Sequence, residues 1–150
     1  MVSANPCPRH LPAVLPGTNT FRSLFLEPEM RHFYRNWDKL TEWAVSWVRA
    51  YAGHHPDPAL AAVIDELLEE SARFRLLWSR HDVRHDDRGM VKMTHPPVGP
   101  LDLHFQHMIL YRSGHVLVVY WAGPGSASEC ALRQLSGRQG SAKGQRPADT

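Results

Sequence analysis

Two hydrophobic patterns divide the chain into a helical half and a strand half. In the first half, apolar residues recur every three or four positions, the spacing that places them on one face of a helix. The clearest such stripe consists of Leu60, Val63, Ile64, Leu67 and Leu68. Asp57 precedes this stripe as an N-cap and Pro58 suits the first helical position, so a helix is predicted to begin there.

A longer helix is predicted from about Pro28 to Ala52, with a break near Asn36 and a glycine cap at Gly53. On a helical wheel its apolar side chains fall within an arc of about 140°. They are Trp37, Leu40, Trp43, Ala44, Trp47, Val48 and Tyr51. So many large rings on one face indicate either an ordinary core or the wall of an apolar cavity.

The stretch from Ser71 to Val83 joins the two halves. Phe74, Leu77 and Trp78 share one helical face, and Ser71 stands at the N-cap position. This pattern predicts a short helix that packs on the sheet.

Three strands are predicted in the second half. Met90–Thr94 and Leu101–Phe105 alternate between apolar and polar residues, and Val116–Trp121 is rich enough in β-branched and aromatic residues to be a central strand. Ser126 with Glu129 has the form of a capping box and predicts a last short helix. Together these elements predict an α+β fold, in which an antiparallel sheet of at least three strands packs with N-terminal helices.

The two ends of the chain are expected to lie outside the domain. Residues 1–18 contain four prolines and a Pro-Gly pair, which sustain neither a helix nor a central strand, and they are interpreted as a leader. Residues 136–150 are rich in Gly, Ser, Gln and Arg and are predicted to be disordered. The domain itself is therefore predicted to span residues 19–135.

Charge and composition argue against several classes of protein. The net charge of +2 consists of +3 in residues 133–150 and −1 in residues 1–132, so the body has no basic excess for direct DNA binding. No apolar run approaches the roughly 20 residues of a membrane helix, and the N-terminus lacks a signal-peptide pattern. Cys7 and Cys130 form no disulfide framework. A cytoplasmic protein without a membrane anchor is expected.

The histidines do not form a recognisable metal or catalytic motif. His104 and His107 are three apart on a predicted strand and would point to opposite faces, and His81 and His85 straddle a helix end. His81 and Asp82 are adjacent, about 100° apart on a helix, and cannot form a proton relay by themselves. Neither a metal, a cofactor nor an enzymatic activity is expected.

Several blocks of the chain, in a fixed order, resemble a known family. The blocks are Asn19–Leu26, Arg31, Trp37, Arg49, the Ser71–Val83 stretch with Phe74, Trp78, His81, Asp82 and Val83, then His95, Pro96, Gly99, Leu101 and Leu103, and finally Leu117–Tyr120 and Gly125–Ser126. They resemble the ligand-binding domain of MmyB-like transcription regulators, XRE-type regulators of bacteria and especially actinobacteria. The resemblance implies a PAS-like fold and a fatty-acyl ligand.

Two departures from this family shape the expected function. Members begin with a helix-turn-helix DNA-binding domain and a strand pair, and residues 1–18 supply neither. A truncated copy is therefore expected, with an exposed sheet edge and an opened pocket. The leading hypothesis is a sensor for an apolar small molecule, such as a fatty acid, without DNA binding of its own. The alternatives are a module that pairs with a second copy or with an intact homologous regulator, and a remnant without function.

Two sets of residues follow from these arguments. The candidate pocket residues are large apolar side chains on faces predicted to meet, namely Trp43, Trp47, Tyr51, Phe74, Trp78, Leu103, Phe105 and Tyr120. The signature residues, for which a structural role is expected, are Arg31, Trp37, His81, Asp82, Val83, His95, Pro96 and Gly99.

Overall fold

The computed structural model describes residues 19–81, 87–110 and 115–141. Residues 137–141 are described by their backbone alone. The described residues form six helices and a three-stranded sheet. The elements in chain order are α1 (Thr20–Leu26), α2 (Glu29–Phe33), α3 (Trp37–His54), α4 (Pro58–Glu70), α5 (Ala72–Ser79), β1 (Arg88–His95), β2 (Gly99–Ile109), β3 (Val116–Trp121) and α6 (Ala127–Ser141). The predicted α+β class is confirmed.

The helix starts lie where the capping residues predict them. The Asp57 carboxylate accepts a hydrogen bond from the Ala59 amide at 2.9 Å, at the start of α4. The Ser71 hydroxyl accepts one from the Phe74 amide at 3.2 Å, at the start of α5. Each cap satisfies an amide that has no partner within its own helix.

The predicted break in the long helix separates α2 from α3. Tyr34 forms a bridge with Met93 of β1, and the Arg35 amide donates to the Lys92 carbonyl at 2.7 Å. These bonds to the sheet replace helical ones, so the chain turns there. The predicted glycine cap is wrong, because Gly53 lies inside α3 without a left-handed φ and the helix ends one residue later.

The prediction that the Ser71–Val83 helix packs on the sheet is wrong. Helix α5 packs on α3 and α4, where Phe74 and Leu77 join Val45, Ile64 and Leu67 in one buried cluster. The inner face of the sheet is already covered by side chains of α3 and α6. The apolar stripe of α5 therefore builds a helical core instead.

The sheet is antiparallel throughout, with the order β1-β2-β3. Among the described strands the prediction of a central strand at Val116–Trp121 is wrong, since β2 is central there and β3 pairs with β2 alone. Strand propensity reports fitness for a pleated, half-buried surface and does not specify the position in the sheet. Four residues of β3 are exposed, namely Leu117, Val119, Tyr120 and Trp121.

Helices cover one face of the sheet among the described residues. Leu101, Leu103 and Phe105 of β2 form the sheet's core with Val91 of β1 and Ala131 of α6. The residues that alternate with them point to the opposite face. Helix α6 therefore completes the layer of helices at the end of the sheet that α3 leaves uncovered.

The last helix is longer than its capping motif predicts. Its Glu129 amide donates to the Ser126 hydroxyl at 3.2 Å, and the Glu129 carboxylate accepts from the Gly125 amide at 2.7 Å. The helix then runs past Ser136 to Ser141, into the segment for which the sequence predicts disorder. Residues 142–150 lie outside the described part.

Candidate functional site

A cleft of about 470 Å³ lies between the helices and β3. Its lining comes from α1, α3 and α4 on one side and from β2 and β3 on the other. The lining includes Trp43, Trp47 and Tyr51 of α3 and Val116, Val118 and Tyr120 of β3. Ligand-binding clefts commonly measure about 300–1,000 Å³, so this cleft has the size of a small-molecule site.

One wall is a row of stacked rings along α3. Trp43, Trp47, Tyr51 and His55 are each four residues apart, which places them on one face of the helix. Their ring centroids are separated by 6.3, 5.1 and 4.4 Å in turn, with interplanar angles of 19°, 14° and 12°. We call this row the aromatic ladder. Of these four residues, Trp43, Trp47 and Tyr51 line the cleft.

The opposite wall comes from the strand that forms the edge of the sheet. Val116, Val118 and Tyr120 alternate along β3 and point to the inner face, so all three line the cleft. Tyr34 lies at one end of the cleft, where burial raises the pKa of its phenol to about 12. At neutral pH the phenol is therefore uncharged, and the lining also includes the acidic side chain of Asp57, at the start of α4.

His107 of β2 lies at the base of the cleft against the aromatic ladder. Its ring centroid is 4.8 Å from that of Trp43 and 4.5 Å from that of Trp47, with interplanar angles of 83° and 86°. Its Nδ1 is buried and has no hydrogen-bond partner among the described residues. Burial lowers the pKa of His107 to about 4, against the opposing effect of Asp87. The imidazole is therefore neutral at pH 7.

The buried imidazole predicts a specific loss of stability in mild acid. A histidine in an unfolded chain has a pKa of about 6.5, whereas the pKa of His107 in the folded protein is about 4. Between these pH values the unfolded chain binds a proton that the folded protein does not bind. Unfolding free energy, measured by urea denaturation, should fall between these values, with a slope of at most about 1.4 kcal/mol per pH unit from this residue. His107→Leu should remove that slope. An unchanged slope in the variant would contradict the assignment.

Four of the candidate pocket residues line the cleft, namely Trp43, Trp47, Tyr51 and Tyr120. Phe105 packs beneath it, with its ring centroid 4.6 Å from that of Trp43, and Leu103 lies in the core of the sheet. His107 was not among the candidates. Its position two residues after Phe105, on the same face of β2, is the signal that would have included it.

Phe74 and Trp78 do not line the cleft. They stack on each other in the helical core with a centroid distance of 5.3 Å, and the Arg49 guanidinium lies 4.1 Å from the centroid of Trp78. The same guanidinium donates a hydrogen bond to the Trp78 carbonyl. These contacts fix α5 to α3, and the proposed site omits both rings.

Two of the signature residues fix the position of α3. The Trp37 indole donates to the Leu24 carbonyl at 3.0 Å, and its ring lies between the guanidinium groups of Arg31 at 4.4 Å and Arg73 at 5.5 Å. Cations over an aromatic face are attracted by its quadrupole. Trp37 therefore joins α1, α2 and α5 to the start of the helix that carries the aromatic ladder.

His81 lies two residues after Ser79, the last residue of α5. It adopts a left-handed φ of 56°, and its Nδ1 lies 2.7 Å from the Ser79 carbonyl oxygen. Asp82 and Val83, like His85, lie outside the described residues. The structural role expected for Asp82 and Val83 therefore stays a prediction.

The remaining signature residues form the turn between β1 and β2. The Val98 amide donates to the His95 carbonyl at 3.1 Å across a turn that contains Pro96. Gly99 follows with a φ of 77°, in the region that favours glycine. The turn sets the register in which β2 carries Phe105 and His107 toward the helices.

The described ranges contain neither a metal-binding cluster nor a membrane-spanning helix. There, no group of three or more His, Cys, Asp or Glu side chains lies close enough to hold a metal ion. Within the same ranges, no helix combines the length and the apolar character needed to cross a membrane.

Comparison with known proteins identifies the family. No curated protein and no solved structure shows significant similarity to the chain. The sequence model of one family, the MmyB-like transcription regulator ligand binding domain, matches residues 2–135. This match covers most of the chain, including residues 2–18, and agrees with the resemblance of the sequence blocks. The chain therefore belongs to the MmyB-like transcription regulator ligand binding domain family.

Proposed function

We propose that the chain is a small-molecule sensor domain whose cleft holds an apolar ligand of the fatty-acyl type. Membership of a family of regulator ligand-binding domains supports the sensing role. The aromatic ladder is the observation that favours an apolar ligand. When a ligand covers these rings, binding is stabilised mainly because apolar surface is removed from water. No catalytic activity and no cofactor belong to the proposed function.

The two walls suit an extended hydrocarbon chain. Trp43, Trp47 and Tyr51 line the cleft along α3, and Val116 and Val118 line it from the sheet. Neutral His107 also lines the cleft, and it offers a ligand a hydrogen-bonding ring without a charge. An aliphatic chain would lie along the rings.

The proposal assigns DNA recognition to another module or protein. Residues 1–132 carry a net charge of −1, which supplies no electrostatic attraction for phosphates. The chain would act in the cytoplasm, where it would report the presence of its ligand to a regulator.

A series of saturated fatty acids tests this proposal. Each methylene buried against the aromatic ladder should contribute about 0.8 kcal/mol, so affinity should rise about four-fold per added methylene until the cleft is full. Quenching of tryptophan fluorescence by octanoate, decanoate, dodecanoate and tetradecanoate, each kept below its micellar concentration, measures the dissociation constants. An affinity that does not depend on chain length would contradict the proposal.

Protein pairing through the edge of the sheet is the second candidate function. The observation that favours it is β3, which pairs only with β2 among the described residues. The partner would be a second copy of the chain or an intact homologous regulator. Affinity chromatography with the immobilised chain and a purified regulator of this family distinguishes these two partners from the absence of pairing.

A further inference from the structure

No described strand pairs with the outer edge of β3. The Leu110 amide donates to the His115 carbonyl at 2.8 Å, which fixes where the hydrogen-bonded pairs of β2 and β3 fall. In an antiparallel ladder such pairs alternate with non-bonded ones. The amides and carbonyls of Val116, Val118 and Tyr120 therefore point away from β2, and no described residue pairs with them.

The edge of β1, by contrast, is covered by the segment between α2 and α3. The Asn36 side chain accepts from the Lys92 amide at 2.9 Å and donates to the Met90 carbonyl at 2.9 Å. The Arg35 amide donates to the Lys92 carbonyl. The Asn36 side chain thus forms with the edge of β1 the hydrogen bonds that a neighbouring strand would form.

The free edge of β3 lacks the features that usually prevent strand pairing. Val116–Trp121 contains no Lys, no Pro and no charged residue. The strand is also self-complementary when it pairs antiparallel about Val118. Val116 then lies opposite the partner's Tyr120 and Leu117 opposite the partner's Val119, so every side-chain pair is apolar and no like charges meet.

The cleft adjoins this free edge. Val116, Val118 and Tyr120 form its sheet-side wall, and in the described ranges no strand or helix continues the wall beyond β3. Because directly opposite residues in an antiparallel sheet point to the same face, a partner strand would extend this wall. The partner's Tyr120 would then lie beside Val116, at the cleft.

We infer that β3 pairs with β3 of a second copy about a two-fold axis at Val118, and that the partner's Tyr120 completes the ligand cleft. The backbone groups of Val116, Val118 and Tyr120 supply the hydrogen bonds of the interface. The part of the inference that concerns the ligand rests on the proposed sensing function, whereas the pairing rests on the second candidate function and assigns its partner as a second copy of the chain. If the cleft is complete only in the dimer, ligand binding and dimerisation must favour each other by the same factor.

Light scattering coupled to size exclusion, over a series of protein concentrations, tests the pairing without ligand. Wild type should have twice the monomer mass. Val118→Pro should be monomeric, because it removes an amide from the interface without removing a bond to β2. Val119→Thr is the matched control on the same strand, and it should stay dimeric because it leaves the edge unchanged. A monomeric wild type, or a dimer lost in Val119→Thr and kept in Val118→Pro, would overturn the inference.

Amide exchange in the wild type, followed by NMR, tests the same edge without a variant. The amides of Val116, Val118 and Tyr120 should exchange more slowly as protein concentration rises. Equal exchange at all concentrations would overturn the pairing, whether the edge is open or covered by the rest of its own chain.

Dodecanoate tests whether the partner completes the cleft. It should lower the dissociation constant of the dimer by about 5-fold or more. An unchanged constant with dodecanoate bound would overturn the completed cleft. Failure of dodecanoate to bind would count against the ligand, and the ligand-free measurements would still decide the pairing.

Discussion

Phe74→Ala is expected to lower the free energy of unfolding by about 3–5 kcal/mol. Phe74 is 0% exposed, and its ring meets those of Phe21 and Phe25 edge to face, with centroid distances of 6.0 and 5.2 Å. The substitution would leave a cavity where α1, α4 and α5 meet, and a packed core closes such a cavity only in part. Urea denaturation of both proteins measures the difference.

Leu76→Ala is the matched control in the same helix. Leu76 is 50% exposed, so its truncation should change the free energy of unfolding by less than about 0.5 kcal/mol. If Phe74→Ala costs no more than Leu76→Ala, the helical core is not where α5 packs.

Trp47→Ala is expected to weaken binding of dodecanoate by about 10-fold or more, a larger effect than the same change produces elsewhere in the fold. Trp47 lies between Trp43 and Tyr51 in the aromatic ladder, and it also contacts the ring of His107. Its removal opens the wall of the cleft and removes apolar surface that the ligand would cover. Titration calorimetry measures the change in the dissociation constant.

Trp78→Ala separates the loss of a wall from a general loss of stability. Trp78, like Trp47, is a partly buried tryptophan on a helix, but it packs on Phe74 and Arg49 in the helical core. It should lower the free energy of unfolding and leave the affinity for dodecanoate within about two-fold of the wild type, because it does not line the cleft. Thermal unfolding of the three proteins shows whether each is folded at the temperature of the titration.

Local signals in the sequence were enough to predict most helix starts and the three strands. Asp57 and Ser71 accept hydrogen bonds from the amides that they were expected to cap. The alternation in Leu101–Phe105 specifies a strand with one buried face, and Leu101, Leu103 and Phe105 are buried as expected. These features depend on neighbouring residues alone, so sequence reasoning can reach them.

The features that sequence reasoning missed depend on long-range contacts. The residue types of Val116–Trp121 predict a strand. Its position at the edge of the described sheet depends on how the strands pair, which the sequence pattern does not specify. Likewise, the stripe of Phe74 and Leu77 predicts a buried face without naming what covers it. Residues of α3 and α6 already occupy the sheet, which leaves α5 to the helical core.

The candidate site was predictable in part for the same reason. The four-residue spacing of Trp43, Trp47 and Tyr51 places them on one face, and that face does line the cleft. His107 lies two residues after Phe105 on the same strand, so the alternation of β2 places it on the same face, and the structure brings it against the ring of Trp47. Trp78 is a candidate pocket residue because it is large and apolar. These properties do not distinguish a residue of the helical core from one that lines the cleft.

The central claim is that an apolar ligand binds between the aromatic ladder and β3. Its most direct test is the titration of dodecanoate into the wild type, Trp47→Ala and Trp78→Ala under identical conditions. We expect the dissociation constant for dodecanoate to rise about 10-fold or more in Trp47→Ala and to stay near the wild-type value in Trp78→Ala. Equal affinities of Trp47→Ala and the wild type, or a loss confined to Trp78→Ala, would contradict it.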